Sequence, residues 1–142
     1  MNEYTLVFLK PITLRRGLVG EIISRFERKG LEIKALKMID MSRDIAEEFY
    51  SIHRGKHFFK ELVESLEGNK IIAMVLYGRS AIKVVRTIIG STDPIEALPG
   101  TIRGDYGLDI TENLIHASDS RESFEREVRI LFPELKLEHL NT

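Results

Sequence analysis

The chain has 142 residues, 43% of them apolar and 30% charged, with a formal net charge of −1 and no cysteine. That is enough apolar material for the core of one domain, 1–142, and it excludes disulfides and thiolate metal sites. The near-zero charge excludes an overall pull toward nucleic acid or an anionic membrane, but not a local basic pocket.

The first residues lack the basic region of a signal peptide, and the apolar run 4–9 is far too short to span a bilayer. The expected address is the cytoplasm. Tyr4-Thr5-Leu6-Val7-Phe8-Leu9 is rich in β-branched and aromatic residues and predicts a buried strand, ended by Lys10-Pro11. Over 14–29, Leu18, Val19, Ile22, Ile23 and Phe26 share one helical face, and Gly30 is suited to stop that helix. Residues 31–41 predict a second strand, bulged because the alternation of Ile33, Leu36, Met38 and Met41 is imperfect.

Ser42 caps a short helix over 43–52, with Asp44 in its first turn. A basic turn, His53 to His57, leads to a helix over 58–66 closed by Gly68-Asn69. Residues 71–77 form a strand, and Ser80 starts a helix that Gly90 ends. Residues 90–112 are irregular, with Pro94, Pro99, Gly100, Gly104 and Gly107, yet Ile95, Leu98, Ile102 and Tyr106 anchor them. A loop this long in a small domain is usually functional. Residues 113–117 are the last strand. The last major helix, 120–132, is capped by Asp119 or Ser120 with support from Glu122.

Without the two short helices and the last one, the order is βαββαβ. That predicts an α+β, ferredoxin-like fold: an antiparallel four-stranded sheet with helices on one face, plus extra short helices.

There is no Gly-x-x-x-x-Gly-Lys-Ser/Thr loop, no Gly-x-Gly-x-x-Gly and no His-Glu-x-x-His. Phosphates, if bound, must be held by side chains. Lys10 follows the first strand, Arg86 precedes the long loop, Thr92 and Arg103 lie in it, and Asn113 opens the last strand. Each alone reads as a solvated residue. Together they can converge on His116, which sits at a strand end beside a helix start. A histidine there is ordinarily a partly buried residue with one hydrogen-bond partner.

The surrounding residues change that balance. Asn113-Leu114-Ile115-His116-Ala117-Ser118-Asp119-Ser120 resembles the active-site signature of nucleoside diphosphate kinases. Pro99-Gly100-Thr101-Ile102-Arg103-Gly104-Asp105-Tyr106 is similar to a second segment of that family. Lys10-Pro11, the run from Arg15 to Ile23 and Phe58-Phe59 resemble its other landmarks. The resemblance covers about 4–132.

It implies an enzyme that moves the γ-phosphate of ATP to nucleoside diphosphates by a ping-pong route, with a phosphohistidine on His116. By similarity, Glu127 and Ser118 orient that ring, and Tyr50 donates a hydrogen bond near the transferring group. Lys10, Arg86 and Arg103 offset phosphate charge, and Thr92 holds a phosphate oxygen. Lys10 and Asn113 reach the ribose, and Phe58 stacks on the base with Ile110 opposite. Mg²⁺ would arrive on the phosphates with no dedicated protein cage, Asp119 being at most an outer partner. His53 and His57 flank the basic turn and could lie near phosphate, while His139 is an exposed tail residue. The resemblance also implies a homo-oligomer, a hexamer built from dimers with a tetramer as the alternative, and no obligatory nucleic acid or membrane partner.

Three positions depart from the family pattern. Ile12 stands where aspartate is common, which leaves Thr13 to take a turn or cap role. Asp93 stands where asparagine usually precedes proline. His57 replaces a proline before the aromatic pair, which would loosen the base platform. Two other classes compete with the enzyme. A silent ferredoxin-like regulatory domain would be favoured by loss of His116, Lys10 or Arg103, and all three are present. A nucleic-acid-binding module is disfavoured by the charge and by the lack of an aromatic RNA-binding strand motif.

Overall fold

β1 (Asn2–Leu9) runs antiparallel between β3 (Lys70–Arg79) and β4 (Ile115–Ala117), and β2 (Glu32–Asp40) pairs with the far side of β3. The sheet order is therefore β2-β3-β1-β4. This computed structural model describes residues 1–110, 112–136 and 138. The expected bulge in β2 is present, as a register shift between Ile33 and Ala35.

Strand residues alternate between two layers. Leu6, Phe8, Ile71, Ala73 and Val75 enter one core, and Val7, Leu9, Ile72, Met74 and Leu76 enter the other. Burial on both faces explains why β1 and β3 are almost continuously apolar rather than alternating. Helices α2 (Val19–Arg28) and α5 (Ala81–Ile89) cover the second layer through Ile22, Phe26, Ala81, Val85 and Ile89. These are the two helices of the ferredoxin-like unit, on one face as the topology predicts. The additional helices α3 (Arg43–Phe49), α4 (Phe59–Leu66) and α7 (Arg121–Leu131) cover the other face. Sequence order alone did not place them there. A fully buried Phe8 or Phe26 contributes roughly 2–3 kcal/mol of transfer free energy.

Several boundaries differ from expectation, each for a local reason. The helix expected over 14–29 is two helices, α1 (Pro11–Arg15) and α2, separated where Gly17 takes a φ of +68°. Pro11 begins α1 rather than merely ending the strand, because its fixed φ suits the first helical position. The helix expected over 43–52 stops at Phe49 and tightens into a 3₁₀ turn, Ser51–His53. Ser80 precedes α5 but does not cap it with its side chain. It is left-handed (φ +50°), and Glu3 on β1 accepts from the Ile82 N–H at 3.0 Å instead. Within the irregular region lies a helix, α6 (Ile102–Tyr106), capped by Thr101 Oγ1, which accepts from the Gly104 N–H. Ser120, not Asp119, caps α7 by accepting from the Ser123 N–H at 3.1 Å, and Asp119 takes the Ser123 hydroxyl. Among the described residues no helix is long and apolar enough to cross a membrane.

Candidate functional site

The turn into β4 sets the geometry of the site. Leu114 is fully buried with a φ of +76°, and the Ile115 N–H closes back on the Asn113 carbonyl at 3.0 Å. This is a tight γ-turn, a strained form costing about 1–3 kcal/mol. Two donors hold it: the Lys10 N–H (2.9 Å) and Thr13 Oγ1 (2.6 Å) both bond the Leu114 carbonyl. Thr13 was expected to take a turn or cap role. It caps no helix, and instead ties α1 to the strand that carries the histidine. The γ-turn also shortens β4, which was expected to start at 113.

His116 lies opposite Phe8 in the register. Its ring stacks on Phe8 at 5.1 Å between centroids and meets Phe49 edge-on at 5.0 Å. Nε2 is buried and stands 3.0 Å from Glu127 Oε1, although its N–H is poorly aligned for a hydrogen bond. A quarter of the side chain is exposed, none of it at Nε2. Glu127 comes from α7 and is itself buried. Ser118 Oγ donates to the same Oε1 at 2.7 Å and also approaches the Leu6 carbonyl at 3.3 Å. Tyr50 follows α3 and is buried. Burial, reinforced by the Glu127 charge, pushes its phenol above the usual range, so it stays a donor.

The cationic side of the site hangs on Asn113. Lys10 Nζ donates to Asn113 Oδ1 at 2.7 Å, and Asn113 Nδ2 donates to the Thr92 carbonyl at 3.0 Å. Arg103 is almost fully buried and spends three donors on backbone. Nε bonds the Asn113 carbonyl, Nη1 the Gly90 carbonyl at 3.0 Å, and Nη2 the Ile115 carbonyl at 2.7 Å. Arg86 Nη1 reaches the Ala117 carbonyl at 3.2 Å. Burial, then the neighbouring Arg103, lowers Lys10 to about 8. Burial, then Arg86, lowers Arg103 to about 10. Arg103 therefore repels Lys10 on one side and Arg86 on the other, an arrangement that favours a polyanion.

Near Phe58 the rings of His53 and His57 stand edge-on at 5.2 and 5.3 Å. His53 also lies 6.3 Å from Tyr50 between ring centroids. Burial and the nearby Lys56, Arg126 and His116 lower its pKa. Ile110 is exposed. Asp119 is held below the usual carboxylate range, first by the Ser123 hydroxyl. Among the described residues no group of three or more His, Cys, Asp or Glu side chains is arranged to hold a metal ion. Ile12 packs into the core beside α2, and Asp93 Oδ1 accepts from the Ile95 N–H in a turn. His139 lies outside the described residues.

Thus His116, Glu127, Ser118 and Tyr50 form one linked group, and Lys10, Arg86, Thr92, Arg103 and Asn113 form another, joined through β4. Sequence reasoning missed Phe8 and Phe49 as walls of the histidine, and Arg126, which bonds the Phe49 carbonyl. In the sequence those aromatics carry only the signal of core residues, and Arg126 that of a solvated helix face.

Comparison with known proteins follows the same lines. A family model described as nucleoside diphosphate kinase matches residues 3–137. A nucleoside diphosphate kinase of Staphylothermus marinus is 62% identical over 92% of this chain and 93% of its own length. One from Hyperthermus butylicus is 59% identical over 92% of each. Among solved structures, the Aquifex aeolicus nucleoside diphosphate kinase superposes with a TM-score of 0.90 at 45% identity, covering 93% of this chain and 96% of that one. The Halobacterium salinarum enzyme, solved in complex with CDP, gives 0.89 at 42% identity, covering 93% and 88%.

Proposed function

The chain belongs to the nucleoside diphosphate kinase family and is a phosphotransferase, and from that premise we propose that its reaction runs through a phosphohistidine on Nδ1 of His116. The observation that carries this reading is the pairing of the buried Nε2 with Glu127 Oε1 at 3.0 Å. A proton on Nε2 faces the carboxylate, which leaves the lone pair on Nδ1 for attack.

In the first half-reaction Nδ1 bonds the γ-phosphorus of ATP or another nucleoside triphosphate. The bond to the β–γ bridging oxygen breaks, and that oxygen leaves with the electron pair as the nucleoside diphosphate. The imidazole gains positive charge, which Glu127 stabilises while Ser118 fixes the carboxylate. A second nucleoside diphosphate then attacks the phosphohistidine in reverse, the basis of ping-pong kinetics. Lys10, Arg86 and Arg103 offset the phosphate charge, Arg103 with the N–H groups its three carbonyls leave over. Tyr50 donates near the transferring group, and Thr92 holds a phosphate oxygen. Lys10 and Asn113 reach the ribose, and Phe58 stacks on the base across from Ile110. His53 and His57 border the phosphate end of that platform.

We assign Mg²⁺ to the phosphates, with Asp119 as an outer partner, where it would neutralise phosphate oxygens. In this reading residues 1–142 act as one cytoplasmic domain in a homo-oligomer, a hexamer built from dimers rather than a tetramer, that equalises nucleotide pools without nucleic acid or membrane.

The test is intact-protein mass after incubation with ATP and Mg²⁺, for wild type and His116→Ala. A phosphoryl mass that GDP removes and that the variant lacks is the expected result. Folded wild type that gains no mass and forms no GTP would overturn the assignment.

A further inference from the structure

Behind the histidine, one side chain touches two of the supports of the ring, Phe49 and Glu127. Arg126 sits on α7 next to Glu127 and reaches back to the end of α3. Its Nη1 donates to the Phe49 carbonyl at 3.1 Å, one of the C-terminal carbonyls that a helix leaves unpaired. Its guanidinium lies 5.8 Å from the centre of the Phe49 ring. Its Nη2 is 3.8 Å from Glu127 Oε2. The two carboxylate oxygens are thereby divided: Oε1 serves Ser118 and His116, and Oε2 faces the cation. Among the described residues no other Lys or Arg pairs with Glu127. Phe49 in turn meets His116 edge-on and meets Tyr50 at 5.4 Å with the rings perpendicular.

We propose that Arg126 is a positioning residue for phosphoryl transfer, acting on His116 through Glu127 on one side and through Phe49 on the other. It does not touch the substrate. The proposal rests on the reading of His116 as the phosphoryl acceptor. The cation holds the buried carboxylate turned with Oε1 toward the ring, so that the imidazole holds the tautomer with Nε2 protonated. The carbonyl bond fixes the Phe49 wall, so that the ring cannot swing from its attack geometry.

The charge and the carbonyl donor can be separated by variants. Arg126→Gln keeps an N–H for the Phe49 carbonyl and loses the charge, whereas Arg126→Lys keeps the charge. Three readouts are needed: single-turnover phosphorylation of His116 by ATP, KM for ATP, and the His116 tautomer from ¹⁵N chemical shifts, each with a melting curve. The Gln variant is expected to phosphorylate about tenfold or more slowly. Its KM should stay within about threefold, and its His116 should be a mixture of tautomers; Lys restores both rate and tautomer. The proposal is overturned if Gln and Lys behave alike, or if rate and melting temperature fall together while the tautomer stays that of wild type. If neither variant folds, Arg126 is a structural residue and the proposal fails. A wild type that never takes up phosphate refutes the His116 assignment instead, a separate result.

Discussion

Lys10 is hydrogen-bonded to an amide and not to an acid: its Nζ donates to Asn113 Oδ1 at 2.7 Å, and no carboxylate among the described residues pairs with it. A neutral partner offers little compensation for a buried charge, and Arg103 adds repulsion. The missing counter-charge is what a phosphate chain would bring.

Nucleotide binding should therefore be linked to a proton. In the free enzyme Lys10 titrates near 8, and a bound polyphosphate raises that value. Above pH 8 the protein must take up a proton as it binds. The affinity for ADP is then expected to fall by up to about tenfold per pH unit above 8. Calorimetry at pH 8.5 in buffers of different ionisation enthalpy should show proton uptake, and Lys10→Met should abolish it. A flat affinity from pH 7 to 9.5 would refute the linkage.

The same residue fixes a sign for stability. The folded-state value, about 8, lies below the unfolded value of 10.5, so between them the unfolded chain holds more protons at this site and stability rises with pH. The charge of Lys10 costs at most about 3 kcal/mol below pH 8, and that cost disappears by about pH 10.5. Against this, Lys10→Met leaves Asn113 Oδ1 without its donor. Relative to wild type, the variant should therefore lose ground progressively as pH rises from 8 to 10.5. Urea midpoints at one protein concentration across that range would check it.

The strands could be read from the residues, because periodicity is local, whereas the polar partners of His116, Glu127 and Ser118, came only with the resemblance of its motifs to a known family. What escaped was non-local or masked by a continuing pattern. Across Gly17 the apolar spacing runs on as if the helix did, so the break before α2 leaves little trace. Glu3 caps α5 from a neighbouring strand, 79 positions away in sequence. Arg103 looked like a free phosphate ligand, yet its three carbonyl bonds make it an anchor between the long loop and β4. Nothing in an Arg-Glu pair on an amphipathic helix announces that Arg126 turns inward.

Ser118 tests the carboxylate from the other side. Ser118→Ala removes the 2.7 Å donor to buried Glu127 Oε1 and leaves only the poorly aligned imidazole. A buried carboxylate oxygen left short of a donor costs about 1–3 kcal/mol. We expect a destabilisation of that size, together with slower phosphorylation of His116. The Ser118→Thr variant, which keeps the hydroxyl, should recover the rate. If Ala matches wild type in both unfolding and phosphorylation, Ser118 does not position Glu127.

Gly104 shows how far the long loop controls the cationic site. A Cβ at this position would stand 2.0 Å from the Leu98 carbonyl oxygen and 2.8 Å from Thr101 Oγ1. The first obstacle is backbone, so the added methyl cannot be relieved by a rotamer change. α6 must shift, and with it Arg103, whose bonds to Gly90, Asn113 and Ile115 join the loop to the γ-turn at Leu114. Gly104→Ala is therefore expected to destabilise the protein by about 2 kcal/mol or more. It should raise KM for both nucleotides more than it lowers the rate at saturating ATP, since His116, Glu127 and Ser118 are held by the sheet and α7. Equal stability and an unchanged KM would mean that the loop does not set the position of Arg103.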